Sequence, residues 1–482
     1  MWLKAKLIFS IVAMACSADI ARASEPVRYL AFQIFTPARD SDAMRRAFPP
    51  GPVDLAETVR DLKQRIGVGG SSGRRLGFVL GPIAFDHSDE EVADLIGKGF
   101  DIALETKIAV GFHIDDSMFW ERLHELDKPA DIEWRDWGRS PNSGRRLDWG
   151  TKPTKIMPQL CINSAAVKTA VLERAALLGH EIAKGIEKLR AAHKEDLYLG
   201  VIAGSETQIG RDFDTGDYLG YCALTNAGFS ATNPPADIDA ERAKITTDFI
   251  SFWVRSLTGA GVPADKVYSH IAFMSSTMYR IVQHVKPADV RAPYLETINF
   301  TPPETAFCDG CIPGLSTYPQ PGHLEQWREE LSKHGDPPWA SCEGTAVDPF
   351  EAERGGGGMS MEGYLGNLFN HGAVLVNVFG WDVGDYDNPF RRIAENSNAL
   401  DAYRKFLGGE ALQDEPIAIP DIPPVGLADK IHKVQAKLPA WVQKNGPSLV
   451  EGYILQLDRA IKEKRFDAAD KAANAILKTI GE

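Results

Sequence analysis

The stretch AVLVNVF, Ala373–Phe379, is an almost unbroken apolar, β-branched run that stops at Gly380-Trp381-Asp382. A strand buried on one face alternates apolar and polar residues. A continuous run needs cover on both faces, as in a parallel sheet walled by helices. Working outward, the same unit recurs: Val27–Phe35, Leu76–Ala84, Ile108–His113, Leu197–Ala203, Val267–Phe273, Leu295–Phe300 and Trp339–Cys342 read as seven earlier strands. Helical patterns follow them over Val53–Ile66, Asp89–Leu104, Ala165–Ala192, Ala240–Leu257, His323–His334, Met361–Asn370 and Arg392–Phe406, with a weaker one reaching His284. Eight strand–helix units predict an α/β fold, a (β/α)8 TIM barrel with long βα loops. The alternative, an open doubly wound sheet, would bring a nucleotide fingerprint, and neither GxGxxG after a strand nor GxxxxGK[ST] occurs.

The flanks read differently. Lys4 and Lys6, the apolar Leu7–Cys16 and the small-x-small Ala21-Arg22-Ala23 predict a signal peptide over 1–23, cleaved before Ser24, and hence export to a periplasmic or extracellular space. Ten apolar residues are too few to span a bilayer. The barrel is expected over 24–410. A Pro-rich linker follows at 411–426 (EPIAIPDIPP at Glu415–Pro424), then a helical region at 427–482 with breaks near Pro439 and Asn445-Gly446-Pro447. Its stripe of Ile454, Leu457, Ile461, Ala472, Ile476 and Ile480 at helical spacing is a packing face.

Composition narrows the function. The 482 residues are 44% hydrophobic, with 66 acidic against 53 basic side chains and a net charge of −13. Loss of the leader, with Lys4, Lys6, Arg22 and Asp19, takes the charge to −15. That acidity argues against nucleic-acid or anionic-membrane partners. Six cysteines are too few for a disulfide scaffold. Cys308-Asp-Gly-Cys311 reads as a loop staple, because no second CxxC accompanies it.

In a barrel the active site lies at the C-terminal strand ends. There the sequence places His113, Asp115, Asp116 and Trp120 after strand three, and Ser205 and Glu206 after strand four. His270 follows strand five, Asn299 strand six, Glu343 strand seven and Trp381 strand eight. Glu206 and Glu343 stand almost opposite each other around a ring of eight. Two facing carboxyls suit glycoside hydrolysis, one protonating the leaving oxygen while the other attacks the anomeric carbon or activates water. Tryptophans suit a sugar's apolar faces, and Trp120, Trp134, Trp137 and Trp149 crowd the insertion after strand three. Gly69-Gly70-Ser71-Ser72-Gly73 matches GxSxG but precedes strand two, so it is a turn rather than a nucleophile elbow.

This layout resembles the clan of retaining (β/α)8 glycoside hydrolases that includes many β-galactosidases, β-mannanases and cellulases. The resemblance covers about Val27–Leu407. It implies Glu206 as acid/base, Glu343 as nucleophile and Trp381 as a platform beneath the sugar, with a carbohydrate substrate and no cofactor. His113, Asp115, Asp116, Trp120, Ser205, His270 and Asn299 are the substrate-binding candidates. The clan usually has asparagine before the acid/base glutamate, and Ser205 stands there, which weakens the expected contact to the sugar's 2-hydroxyl. Two other readings remain: a catalytically silent carbohydrate-binding barrel, and a metal-dependent hydrolase using His113, Asp115 and Asp116.

Overall fold

The computed structural model describes residues 26–70, 73–147, 153–285, 301–347, 358–385, 387–419 and 421–482. Eight parallel strands form the sheet: β1 (Arg28–Phe35), β2 (Arg74–Ile83), β3 (Ala109–Ile114), β4 (Tyr198–Ala203), β5 (Val267–Ser269), β6 (Gly314–Ser316), β7 (Trp339–Gly344) and β8 (Ala373–Val378). They pair in chain order from β1 to β5 and from β6 to β8, and β8 returns to β1. The ring closes between β5 and β6 through the parallel bridges Tyr268–Ile312 and Ile271–Leu315. Backbone hydrogen bonds from Ser269 N to Ile312 O (3.1 Å) and from Ser316 N to Ile271 O (2.9 Å) hold that seam. The fold is a (β/α)8 barrel.

Around it stand α1 (Leu55–Ile66), α2 (Asp89–Thr106), α3 (Ala165–Ala191), α4 (Ile238–Gly259), α5 (Ser276–Val285), α6 (His323–Lys333), α7 (Met361–Phe369) and α8 (Ser397–Leu407). Many of their starts are written locally. Ser88 and Glu91 make a reciprocal capping box on α2, and Asp54, Ser164 and Ser360 each accept a backbone N–H inside the first turn of α1, α3 and α7. The single helix expected over Arg392–Phe406 is broken at Asn396. Its backbone is extended and its side chain caps α8, so a short helix, Pro389–Glu395, precedes it.

The sixth strand needs a correction. Leu295–Phe300, expected in that place, lies outside the described residues, and β6 is Gly314-Leu315-Ser316. Its pattern is silent for a physical reason. A β-carbon at Gly314 would collide with the Ser269 carbonyl and the Cys342 sulfur, so the inward position must be bare. Cys308 and Cys311 are joined by a disulfide just ahead of this strand.

Strand alternation divides two cores. Tyr29, Ala31, Val79, Ala109, Leu199, Tyr268, Ala340 and Leu375 fill the barrel, and the outward-facing set packs against the helices. Three further helices, α9 (Leu427–Asn445), α10 (Glu451–Lys462) and α11 (Phe466–Ile480), share a core of Leu427, Val434, Leu457, Ala473 and Ile476, with α9 against α5. Pro439, an expected break, sits inside α9, which ends instead before Gly446. No helix among the described residues is long and apolar enough to cross a membrane.

Close packing of α3 on α2 depends on Gly185, where a β-carbon would fall on the Phe100 ring. That ring is wedged against Phe112 and Tyr198, at 5.6 and 5.8 Å between centroids, and cannot retreat. Helix propensity favours alanine over glycine by about 1 kcal/mol, whereas overpacking costs roughly 1–3 kcal/mol. Gly185→Ala is therefore expected to lower the urea midpoint. Gly97→Ala, on the open face of α2 with nothing within 4 Å, is expected to raise it.

Candidate active site

Glu206 stands three residues beyond β4. Gly204 and Glu206 are both left-handed, at φ 107° and 54°, so the chain turns sharply over the barrel mouth. A non-glycine residue in that region is strained, the kind of feature that collects at functional sites. Glu206 is 9% exposed, and its Oε1 accepts a hydrogen bond from Ser316 Oγ at 2.7 Å. Glu343 lies on β7 in register with Ser316 of β6, and Tyr318 donates its hydroxyl to Glu343 Oε1 at 2.6 Å. Removal from water pushes the Glu343 carboxyl up to about 8. The charge of Glu206 adds to that rise and the Tyr318 hydrogen bond opposes it. Glu206 also acts on the Tyr318 phenol, so the two carboxyls and the phenol share one electrostatic environment.

Beside this pair the mouth is polar. His113 Nδ1 faces Gln33 Oε1 at 3.2 Å, and its Nε2 faces the Gly204 carbonyl at 2.9 Å and His270 Nδ1 at 3.1 Å. His270 Nε2 is 2.9 Å from Ser316 Oγ. Burial lowers both imidazoles, His113 well below its ordinary range with His270 adding to the fall, and His270 to about 4.

Asp115 and Asp116 follow β3, both at 1% exposure. Asp115 Oδ1 accepts from the backbone N–H groups of Met118 and Phe119, holding the turn, and burial together with Asp116 pushes its carboxyl up to about 7. Asp116 accepts from the Ser117 hydroxyl at 3.2 Å, and burial raises it too. Each keeps one buried oxygen without a hydrogen-bond partner. His113 does not join them as a metal ligand set, because both its ring nitrogens are engaged elsewhere. Among the described residues no group of three or more His, Cys, Asp or Glu side chains is arranged to hold a metal ion.

Other expected residues fall in different places. Ser205 is buried at 4% exposure beside Glu206. Trp120 is 1% exposed in the main core and spends its indole N–H on the Pro158 carbonyl at 3.0 Å. Trp381 is turned outward by the left-handed Gly380, edge-on to Phe32 (5.1 Å) with Arg65 over its ring (4.5 Å). Neither ring presents a face at the mouth. Asn299 and Trp149 lie outside the described residues.

Sequence reading missed Ser316 and Tyr318, because it misplaced the sixth strand. It also passed over Gln33 and Asn377. Each is a lone polar residue at an inward position of an apolar strand, which was the available signal.

Glu206 and Glu343 thus stand at the ends of β4 and β7 of a (β/α)8 barrel, each bonded to a hydroxyl of the β6 segment. No family model and no curated protein matches the chain. Among solved structures it is similar to a GH5-4 broad specificity endoglucanase from an uncultured bacterium, at 10% identity and TM-score 0.37, over 74% of this chain and 85% of that one. A cold-adapted β-galactosidase from Rahnella sp. R3 is similar at 11% identity and TM-score 0.41, over 80% of this chain and 56% of that one, so the chain spans just over half of its length. The catalytic domain of a β-amylase from Paenibacillus polymyxa is similar at 7% identity and TM-score 0.44, over 79% and 98%.

Because Glu343 holds its proton more tightly folded than unfolded (about 8 against 4.5), its contribution to stability is present below pH 4.5 and is lost as pH rises through 8. Glu343→Gln keeps the acceptor for Tyr318 without the ionisation. Calorimetry should show the variant's Tm rising relative to the parent from about pH 5 to about pH 9.

Proposed function

We propose that the chain is an exported glycoside hydrolase that cleaves β-glycosidic bonds with retention of configuration. The observation that carries the reading is the pair Glu206 and Glu343, set at opposite strand ends and electrostatically coupled, each fixed by a hydroxyl of the β6 segment. The roles follow from chemistry. Glu343 attacks the anomeric carbon while Glu206 protonates the departing oxygen, giving a glycosyl ester on Glu343. Glu206, now ionised, then takes a proton from water, which opens that ester.

Burial and the charge of Glu206 hold a proton on Glu343 up to about 8, so its nucleophilic anion is expected to gain population as pH rises toward that value. The reaction needs Glu343 as the anion and Glu206 as the acid. Tyr318 favours this by donating to Glu343, which stabilises its anion. The basic, apolar and small-residue pattern at 1–23, read as a signal peptide, is what supports action outside the cytoplasm.

A panel of aryl β-glycosides and polysaccharides, with the anomeric configuration of the first product followed by NMR, tests the reading. Turnover with retained configuration is expected. Glu206→Gln and Glu343→Gln should each lower kcat by about a hundredfold or more while the fold survives. An inverted product, or turnover indifferent to both substitutions, overturns the assignment. Binding of sugar without turnover by the parent would leave a carbohydrate-binding barrel.

A further inference from the structure

Two-carboxylate chemistry does not account for the hydrogen-bonded chain behind Glu206. Glu206 Oε1 lies 2.7 Å from Ser316 Oγ, and Ser316 Oγ lies 2.9 Å from His270 Nε2. His270 Nδ1 is 3.1 Å from His113 Nε2, and His113 Nδ1 is 3.2 Å from Gln33 Oε1. All five side chains are buried, three on strands β1, β3 and β6 and two in the loops just beyond β4 and β5.

Backbone groups fix the far end. Gln33 Nε2 donates to the Gly81 carbonyl at 3.1 Å, which turns Oε1 toward His113. Asn377 Nδ2 donates to that same Oε1 and to the Cys342 carbonyl, both at 2.9 Å. An oxygen acceptor facing His113 Nδ1 requires a hydrogen on that nitrogen. In the middle, the Gly204 carbonyl is 2.9 Å from His113 Nε2 and 3.2 Å from His270 Nδ1, so these three atoms close around one hydrogen.

Three arrangements of four protons satisfy all four contacts: the two end states that follow, and one between them in which Glu206 is a carboxylate and His270 rather than His113 is the imidazolium. In the first, Glu206 is a carboxylic acid donating to Ser316, Ser316 donates to His270 Nε2, and His270 Nδ1–H fills the triangle with both imidazoles neutral. In the second, three protons have each moved one step. Ser316 donates to a Glu206 carboxylate, His270 Nε2–H donates to Ser316, and His113 is an imidazolium with both nitrogens protonated. Three O–H or N–H bonds break, three form, and no electron changes hands. Loss of one proton leaves one contact without a hydrogen, so the chain favours retaining it.

We infer that His113, His270 and Ser316 are positioning residues that form a proton chain for Glu206, keeping one proton available to it and letting charge alternate between its carboxyl and His113. The inference rests on the reading of Glu206 as the acid/base. Burial lowers both imidazoles and so disfavours an imidazolium in the chain. The titratable neighbours are Glu343, the Tyr318 phenol, which burial keeps neutral, and Asp116, whose Oδ2 would lie 3.6 Å from a β-carbon at Gly204.

NMR of the full chain tests this without need of a substrate. Histidine 15N signals report the tautomers and the Glu206 carboxyl 13C reports its ionisation, assigned with His113→Gln, His270→Gln and Glu206→Gln. One titration with a common midpoint at Glu206, His270 and His113 is expected, with His270 passing between Nδ1–H and Nε2–H forms. Ser316→Ala should separate the midpoints and Ser316→Thr should rejoin them. Glu206 titrating while both imidazoles stay unchanged, or no common event between about pH 4 and about pH 9, overturns the inference. If Ser316→Ala does not fold, the parent's titration still decides. Coupled tautomers in a protein that hydrolyses no glycoside would separate failure of the acid/base reading from failure of the chain. On an active enzyme, Ser316→Ala should lower kcat/KM about tenfold or more on poor leaving groups, and by a smaller factor on 2,4-dinitrophenyl glycosides, which need less protonation.

Discussion

The seam between β5 and β6 is the interaction on which the rest of the structure depends. Strands β1 to β5 and β6 to β8 pair over longer runs, but the ring becomes a barrel only through the few backbone hydrogen bonds between Val267–Ile271 and Ile312–Ser316. Closure there requires Gly314 to be bare, because the Ser269 carbonyl and the Cys342 sulfur occupy the space a side chain would take. It also sets Ser316 between His270 and Glu206, and Tyr318 beside Glu343. An open sheet would leave the two carboxyls with no shared mouth.

Burying ionisable groups at that mouth carries a cost that only hydrogen bonds and shared protons offset. Glu343 answers it with a raised affinity for its proton and a phenol donor, the imidazoles by staying neutral, and Asp115 by holding a turn. Gln33 and Asn377, bonded to each other and to strand carbonyls, give the histidines a fixed acceptor to face. The polar layer is thus a connected network above an apolar barrel interior.

Much of the fold was legible in the sequence because buried parallel strands write themselves as continuous apolar runs, and all but two of the strands carry one, Trp339–Gly344 giving only a weak trace. The other, Gly314–Ser316, carries none: three residues with a mandatory glycine and a serine give no pattern. The same silence hid Ser316 and Tyr318. The places of Glu206 and Glu343 at the barrel mouth were legible because they follow directly from the strand ends. Trp381 and Trp120 were misleading, since residue type does not say which way a loop turns, and Gly380 sends Trp381 into the helix layer.

The central claim is that Glu343 becomes covalently glycosylated. The most direct measurement is incubation with an activated 2-deoxy-2-fluoro-β-glycoside of a sugar the enzyme accepts, followed by peptide mass spectrometry. The mechanism predicts one equivalent of fluoroglycosyl on the peptide containing Glu343, and none in Glu343→Gln. Label on another residue, or turnover of the parent glycoside with no adduct accumulating, would contradict it.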